Sequence, residues 1–465
     1  MRQRGPGTRR RSSAGGDMSA EGPGGSVKAE LDWRRREDGG GLQREGGRVH
    51  GAARKGARRF AWLMPPPLPA AALVPASSSS FVAEPERAHM GSQGPGRVVH
   101  IEGLQTALPT RVVPPGRARP VSVSPPPAKS SSSLALLLQR RVRVVLYYRG
   151  DGEAWEEALW VKETLSEALA EHPEMAGRLR RRADDGSAWE VKLNDTGIRL
   201  VLASAYGAVA DFLNGEGRER REAALAPWTD VDAADPDMCA LCFLQLTRFQ
   251  GDGGYALGVS CSLMLADPLS LARFLLSWAR THAEMKAQSK VATNPMLQYA
   301  SYFQRPNVMT RRIKSIPIDT VGGGGDCNNV VETVLFRAAT GSPTPDHRAL
   351  ARACLDQASD KIGDAANKVS QFSVVVVAGK GEGDNPPGMS IETCAADAVP
   401  ESGGAEHSKL IKAVQWQELG LEELALRGTK PVHVSYSIET GSDHGLAVVM
   451  PDGPGLFLVT ATVPK

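Results

Sequence analysis

The sequence predicts a two-domain α/β protein with mixed β-sheets, preceded by a disordered N-terminal extension. Short runs rich in Val, Leu and Tyr alternate with segments of helical periodicity, and this alternation occurs in two similar halves. The first 89 residues instead hold 16 Lys and Arg against 9 Asp and Glu and show almost no periodic apolar pattern. We therefore expect an extension over residues 1–95, an N-terminal domain over 96–285, a crossover linker over 286–328 and a C-terminal domain over 329–465.

The extension is basic, rich in Gly, Arg, Pro and Ser, and too polar to offset the entropy of ordering it. Its arginine runs at 9–11 and 34–36 could contact nucleic acid or anionic lipid. No aromatic residues interleave with these runs, so a solvated tail is favoured and no nucleic-acid partner is expected. A methionine at position 90, near the start of the patterned part, suggests a second interpretation, in which the extension is an upstream segment wrongly assigned to the gene. A transit peptide is the alternative, and the acidic residues of the extension argue against it.

The first half is expected to alternate strands with helices. Residues 142–148 form an apolar run typical of a strand. Large apolar residues at helical spacing predict a helix over 154–170, which a His-Pro pair ends. Weaker patterns predict a strand at 98–101, a Pro- and Ser-rich connection at 109–133, strands at 189–193 and 198–203 on either side of a turn at 194–197, and a short helix at 208–214.

The end of the first half carries the most informative pattern. Residues 243–249 alternate and lead through a Gly-Gly pair into the small, apolar run 255–265, which predicts a hairpin of two strands. The Asp-Pro pair at 267–268 predicts a turn. Apolar residues at helical spacing then predict a helix over 269–279. The sequence therefore predicts a strand, a turn and a helix in this order.

The second half is less strongly patterned. The linker ends in four glycines at 322–325, and because no Gly-Lys-Ser or Gly-Lys-Thr follows, we do not expect a phosphate-binding loop. Residues 347–366 predict a helix, and the apolar run 372–377 predicts a buried strand. Further strands are predicted at 330–337, 432–438, 446–450 and 457–462.

Several segments resemble the BAHD family of plant acyl-CoA-dependent acyltransferases, in the same order along the chain. Residues 162–169 with 176–179 are similar to the family's "LK-x-SL-x-x-L … AGRL" segment. Residues 243–254 are similar to its strand before the active site, and Trp278-Ala279 to the end of the following helix. The resemblance covers about residues 98–465. It implies a chloramphenicol-acetyltransferase-like fold of two domains, with acyl-CoA as a ligand or co-substrate.

Within that family, the Eceriferum/Glossy-type wax proteins are the most similar branch. The hexapeptide at 194–199 resembles their NDSGIR, and residues 428–431, 434–438 and 445–451 resemble their C-terminal segment. The resemblance implies a role in cuticular wax synthesis, with the condensing enzyme of the fatty-acid elongase as partner. It also implies a cytoplasmic monomer, peripheral to the endoplasmic reticulum.

The same resemblance identifies what is missing. BAHD enzymes carry His-x-x-x-Asp-Gly at this turn, and the His is the general base that takes a proton from the acceptor. Here Leu263 stands at the His position, Asp267 at the Asp position and Pro268 in place of the Gly. The family's second signature, Asp-Phe-Gly-Trp-Gly, is reduced to Gly428. Leucine cannot accept a proton, so we expect a degenerate acyltransferase, an accessory factor for very-long-chain fatty acid elongation.

Other side chains could replace the base. His433 is a weak candidate because it lies near the second signature, although it and His444 are more simply surface or loop histidines. Asp267 is expected to be structural. Cys261 has no neighbouring histidine, and a core cysteine is the better interpretation. Two alternatives therefore stay open: an active O- or N-acyltransferase with a displaced base, and a decayed, inactive paralogue.

Cysteine usage and hydropathy predict the compartment. Cys239 and Cys242 form a C-x-x-C within a predicted strand, but no second pair completes a zinc site, so no metal is expected. Reduced thiols in a cytosolic compartment fit the six scattered cysteines. The apolar stretch at 60–74 is broken by prolines, and no run of 18 apolar residues occurs, so no membrane span is expected.

Overall fold

Two mixed β-sheets organise the part of the chain that the computed structural model describes. The predicted extension over 1–95, Met90 and the four-glycine run lie outside the described residues. All described residues belong to one unit, 87–465, separate from residues 1–86. The described residues are 98–124, 134–150, 154–182, 188–193, 196–214, 217–288, 314–317, 331–340, 345–362, 369–381, 383–399, 411–441 and 444–464.

Sixteen strands and six α-helices are assigned within these residues. The strands are β1 (Val98–Ala107), β2 (Ala118–Val123), β3 (Arg141–Tyr148), β4 (Arg178–Arg181), β5 (Trp189–Lys192), β6 (Ile198–Ala205), β7 (Cys242–Phe249), β8 (Tyr255–Ser262), β9 (Lys314–Pro317), β10 (Val331–Ala339), β11 (Gln371–Val377), β12 (Met389–Ala395), β13 (Ile411–Val414), β14 (His433–Glu439), β15 (Gly445–Gly453) and β16 (Leu456–Pro464). The helices are α1 (Leu134–Leu138), α2 (Ala154–Glu171), α3 (Val209–Leu213), α4 (Arg218–Leu225), α5 (Pro268–Gln288) and α6 (His347–Ile362).

Both sheets combine strands from the two ends of the chain. The first sheet has the order β14-β3-β8-β7-β6-β1-β9, with β6 and β7 parallel and the other neighbours antiparallel. The second has the order β13-β10-β16-β15-β11-β12-β2-β5-β4, with parallel pairs at β11–β15 and β12–β2. The mixed α/β class with two sheets is therefore confirmed. The domain boundaries around 286–328 stay a prediction, since strands from both sides of this range occur in each sheet.

Alternation along the strands places the largest apolar cluster between the two sheets. On β3, Val144 and Leu146 join this central core, whereas Val145 and Tyr147 face the other side, against α3 and α4. Leu446 on β15 also belongs to the central core, and the outer face of the second sheet packs on α6. Helices α2 and α5 contribute to the central core and are joined by a hydrogen bond of 3.0 Å from Trp278 Nε1 to Thr164 Oγ1.

Several predicted elements are corrected. The strands on either side of the turn at 194–197 enter different sheets, because β5 pairs with β2 and β4 while β6 pairs with β1 and β7. Strand β2 lies inside the predicted Pro- and Ser-rich connection. Cys239 lies in a turn before β7 rather than on a strand. Strands β4, β12 and β13 were not predicted, and β9 lies within the predicted linker.

Candidate functional site

The turn between β8 and α5 holds Leu263, which stands at the position of the base in the family that the sequence resembles. The expected strand over 255–265 ends earlier, at Ser262, because the Ser262 carbonyl accepts hydrogen bonds from the amides of Leu265 at 2.9 Å and Ala266 at 3.1 Å. Leu263 is the first residue of the turn, and its amide donates to the Arg140 carbonyl at 3.0 Å. Its side chain is 1% exposed and belongs to the central core. An aliphatic group sealed from water therefore occupies this position.

Asp267 caps the N-terminus of α5. Its Oδ1 accepts the amide hydrogens of Leu269 at 3.0 Å and Ser270 at 2.9 Å, and its Oδ2 accepts the Ser270 hydroxyl. Pro268, at the first helical position, has no amide hydrogen to satisfy. Both oxygens of this buried carboxylate accept hydrogen bonds within the turn, so the carboxylate stabilises the turn and is not directed toward an acceptor substrate. This geometry supports the structural role expected for Asp267.

A buried arginine, Arg119 on β2, fixes the same turn to the second sheet. Its Nη1 donates to the Leu265 carbonyl at 2.5 Å and its Nε to the Pro387 carbonyl at 2.6 Å. Burial lowers the pKa of Arg119, and the nearby Asp267 carboxylate partly opposes that shift. Arg119 thus connects the turn to the second sheet through two hydrogen bonds to backbone carbonyls, close to the Asp267 cap.

A second buried arginine, Arg140, precedes β3 and lies beside Leu263 through the backbone bond already described. Its Nη2 donates to the Ser373 hydroxyl at 2.9 Å, and Ser373 is 3.2 Å from the Thr393 hydroxyl on the neighbouring strand. Its Nε and Nη1 have no hydrogen-bond partner among the described residues. Burial alone lowers the pKa of Arg140 to about 10, so it stays protonated at neutral pH.

A cavity of about 630 Å³ opens beside the turn, a volume within the usual range of small-molecule sites. Asp267 and Ser270 line one side of it, and Val377 and Met450 of the second sheet line the other. Lys380 and Arg273 also line it, together with a second carboxylate, Asp452, and Arg273 pairs with Asp452 at 3.0 Å. Lys380 can therefore meet the anionic group of a ligand whose apolar segment contacts Val377 and Met450.

His433, the candidate displaced base, lies away from this turn. It is paired with Tyr147 across β14 and β3, whereas Ser262, which precedes Leu263, is paired with Arg141 at the opposite end of β3. Six residues of strand separate the two positions, about 20 Å. Its Nε2 contacts the Arg218 guanidinium, and burial together with that cation lowers the pKa of His433. Both facts weigh against His433 as a base for a reaction beside Leu263.

The cysteines near the turn have the properties of buried core residues. Cys261 on β8 is directly opposite Cys242 on β7, and both are buried. A hydrogen bond with Cys242 and burial raise the pKa of the Cys261 thiol well above its usual range. A thiol of this kind is a poor nucleophile. Among the described residues, no group of three or more His, Cys, Asp and Glu side chains could hold a metal ion.

The sequence identified Leu263 and Asp267 but missed the two arginines and the hydroxyl pair of Ser373 and Thr393. A signal existed for Arg119, since it shares a strand face with Val121 and must therefore point inward. No comparable signal existed for Arg140, which is one of several arginines around β3. In the described part of the chain, no helix is long and apolar enough to cross a membrane.

The family comparison matches the segment that contains this turn. Residues 131–321 match the family model described as Transferase family. This match supports the BAHD resemblance for that segment, which begins before β3 and extends past α5.

Curated relatives match over a similar part of the chain. Rosmarinate synthase of Plectranthus scutellarioides is 35% identical over 136 residues, covering 29% of this chain and 30% of its own length. A hydroxycinnamoyltransferase of Narcissus pseudonarcissus is 33% identical, covering 35% and 36%. Protein ECERIFERUM 26-like of Arabidopsis thaliana is 30% identical, covering 32% and 34%. The chain thus spans about a third of the length of these relatives.

Solved structures match over more of the chain at lower identity. Vinorine synthase is 17% identical with a TM-score of 0.42, covering 79% of this chain and 94% of its own. The complex of F. sporotrichioides TRI101 with coenzyme A and T-2 is 13% identical with a TM-score of 0.33, covering 71% and 92%.

Proposed function

Because residues 131–321 match the Transferase family, we propose that this protein is a BAHD-like acyl-CoA-binding protein without the family's general base, acting as an accessory factor in very-long-chain fatty acid elongation for cuticular wax. In this proposal the ligand is an acyl-CoA and the partner is the condensing enzyme of a fatty-acid elongase. Binding, rather than turnover, is the contribution of this chain.

One observation carries the proposal: Leu263 occupies the base position and is sealed in the central core. Losing a general base typically lowers the rate by about 10²- to 10⁴-fold. The nearest ionisable side chains cannot replace it. Asp267 is engaged in capping α5, and Arg119 and Arg140 are cations that cannot accept a proton at neutral pH.

The cavity beside the turn supports acyl-CoA as the ligand. Lys380 offers positive charge to a coenzyme phosphate, while Val377 and Met450 offer an apolar wall. The charge of Arg273 is offset by Asp452, with which it pairs. We expect Lys380→Ala to weaken acyl-CoA binding severalfold, measured by isothermal titration calorimetry on the full chain. Glu423→Ala, an exposed site paired with Lys430, is a matched control.

The accessory role is tested by co-expression. The full chain would be expressed in yeast with an elongase condensing enzyme, and the lengths of the fatty acids produced would be profiled. We expect longer chains than with the condensing enzyme alone. Unchanged profiles, with the protein present in soluble form, would contradict the wax role.

The missing base is tested by restoring it. Purified Leu263→His would be incubated with acyl-CoA and hydroxylated acceptors while free thiol is followed, with Leu263→Gln as a control of similar size that is not a base. We expect thiol release to rise about 100-fold over the unaltered chain in the histidine variant alone. Equal rates in the two folded variants would show that the scaffold lacks more than the base.

A second candidate is a working hydroxycinnamoyl transferase with a displaced base. Rosmarinate synthase and several hydroxycinnamoyltransferases among the relatives favour acyl transfer of that kind. Turnover of p-coumaroyl-CoA by the unaltered chain that is lost on His433→Ala would establish this candidate in place of the accessory role.

A further inference from the structure

Arg140 is a buried cation whose charge is not matched within the described fold. Its residue is 3% exposed, and no described acidic side chain forms a salt bridge with it. Of its three guanidinium nitrogens, only Nη2 has a hydrogen-bond partner in the described residues, the Ser373 hydroxyl at 2.9 Å. Arg117, Arg143 and Arg178 each have one buried guanidinium nitrogen without a partner among the described residues, whereas Arg140 has two. Two open donors on one buried cation are suited to an anionic ligand.

The hydroxyls around Arg140 are directed to the same space. Ser373 on β11 is directly opposite Thr393 on β12, and their oxygens are 3.2 Å apart. Phe372 and Val374 pack against α6 on the outer face of the second sheet, so Ser373, between them, points inward to the central core. One guanidinium and two hydroxyls therefore converge where the second sheet faces Leu263.

An apolar strand face connects this polar group to the lining of the cavity. Ser373, Val375 and Val377 alternate onto the same inner face of β11, and Val377 lines the cavity beside the turn. Four residues of strand separate Ser373 from Val377, about 13 Å. Leu446, the partner of Ser373 on β15, extends the apolar surface.

We propose that Arg140, with the hydroxyls of Ser373 and Thr393, binds the carboxylate of a small acid whose apolar body lies along β11 toward the cavity. A planar carboxylate accepts two parallel bonds from a guanidinium, which matches the open Nε and Nη1 donors. This inference does not depend on acyl-CoA turnover or on the wax role. It rests on the position of the cation alone.

The acid is either a fatty acid or an aromatic acid, and both present the same carboxylate. The experiment is isothermal titration calorimetry on the full chain with laurate, p-coumarate and their neutral counterparts 1-dodecanol and p-coumaryl alcohol. We expect at least one acid to bind ten or more times tighter than its alcohol. The tighter acid identifies the source of the ligand. Equal binding of acid and alcohol, or no binding of either acid at millimolar concentration, would overturn the proposal.

Two variants place the site at Arg140. Arg140→Met keeps the length of the side chain and removes the charge, and we expect it to weaken acid binding at least tenfold. Ser373→Ala should weaken it severalfold. Arg348→Met is the matched control, since Arg348 pairs with Glu392 on the outer face of the same sheet, and its affinity should stay within twofold of the unaltered chain. Undiminished acid binding in Arg140→Met or in Ser373→Ala would overturn the assignment. If Arg140→Met does not fold, Ser373→Ala and the comparison of acid with alcohol decide the question.

Discussion

Two arginines flank the same turn, and the fold treats them differently. Arg119 donates to the carbonyls of Leu265 and Pro387 and faces the Asp267 carboxylate, so its charge is used inside the protein. Arg140 is equally buried, but its guanidinium has one hydrogen bond, to Ser373, and no described counterion. Arg119 therefore stabilises the fold, whereas Arg140 is the residue that we propose binds a ligand.

The comparison also separates the two positions of the family motif. Asp267, which lies near Arg119, caps α5. Leu263, next to Arg140, stands at the position of the base in the family that the sequence resembles. In our proposal the chain keeps the walls of the site without the proton acceptor, since ligand affinity needs the former and not the latter.

Arg119→Met should have the largest effect on stability. The substitution removes the hydrogen bonds that a buried cation donates to the carbonyls of Leu265 and Pro387, and it removes the positive charge near Asp267. At about 1.5–3 kcal/mol for each bond, we expect the free energy of unfolding to fall by about 3–5 kcal/mol. Urea unfolding at pH 7 measures it, with the exposed Arg348→Met as the control. A loss below 1 kcal/mol would mean that Arg119, like Arg140, does not stabilise the fold through its charge.

Arg140→Met should change stability in the opposite direction. Burial lowers the pKa of Arg140 from its ordinary value to about 10, and this shift corresponds to about 3 kcal/mol of destabilisation at neutral pH, where both folded and unfolded states are protonated. Losing the hydrogen bond to Ser373 lowers stability by about 1 kcal/mol and so offsets part of the gain from removing the charge, while Ser373 keeps Thr393 as a partner. We expect a net gain of about 2 kcal/mol by urea unfolding without ligand. A clear loss of stability would make Arg140 a structural residue.

Asp267→Asn should have a smaller effect. Asparagine also caps helices well, so the bonds to Leu269 and Ser270 can be kept while the charge facing Arg119 is lost. We expect a loss of about 1 kcal/mol, and about 1 kcal/mol more for Asp267→Ala, which removes the cap as well. Thermal unfolding of the two variants side by side separates charge from capping. Equal losses would show that the charge accounts for the whole effect, and no loss in Asp267→Asn would show that the carboxylate acts only as the cap of α5.

The smallest effect is expected at His433, where a third arginine meets an ionisable group. Burial and Arg218 lower the pKa of His433 in the folded state below its ordinary 6.5. The unfolded chain therefore binds more protons just below pH 6.5, and stability should fall as the pH is lowered through that value and level off below the folded pKa. We expect His433→Gln to flatten this dependence in melting temperatures measured between pH 7.5 and 5.5. An unchanged slope would show that His433 does not contribute to the pH dependence of stability.

Much of the fold was predictable because its central elements repeat their pattern over several turns or residues. Helix α5 and the β7–β8 hairpin follow periods that burial on one or both faces imposes. Strand β2 was missed because it is short and carries Pro120 among the Pro- and Ser-rich residues of its connection. Strand β12 begins after Pro387 and alternates weakly, so its sequence does not indicate a strand strongly.

The site was predictable only where its residues are close in sequence. The spacing of Leu263 and Asp267 lies within one turn, so the missing base could be inferred from the motif. Arg140, Ser373 and Thr393 meet through the pairing of β11 with β12 and the facing of two sheets. No local pattern records such a meeting, and the hydroxyls resemble any others on a strand.

The exchange of strands between the sheets has a consequence for inheritance of the gene. A fragment ending at residue 288 would carry β2, β4 and β5 without the strands that β2 joins in the second sheet, and would leave β3 without β14. A fragment beginning at residue 331 would face the reciprocal deficit. We therefore expect neither piece to fold by itself, so duplication or loss of one half of the gene alone should not yield a folded protein.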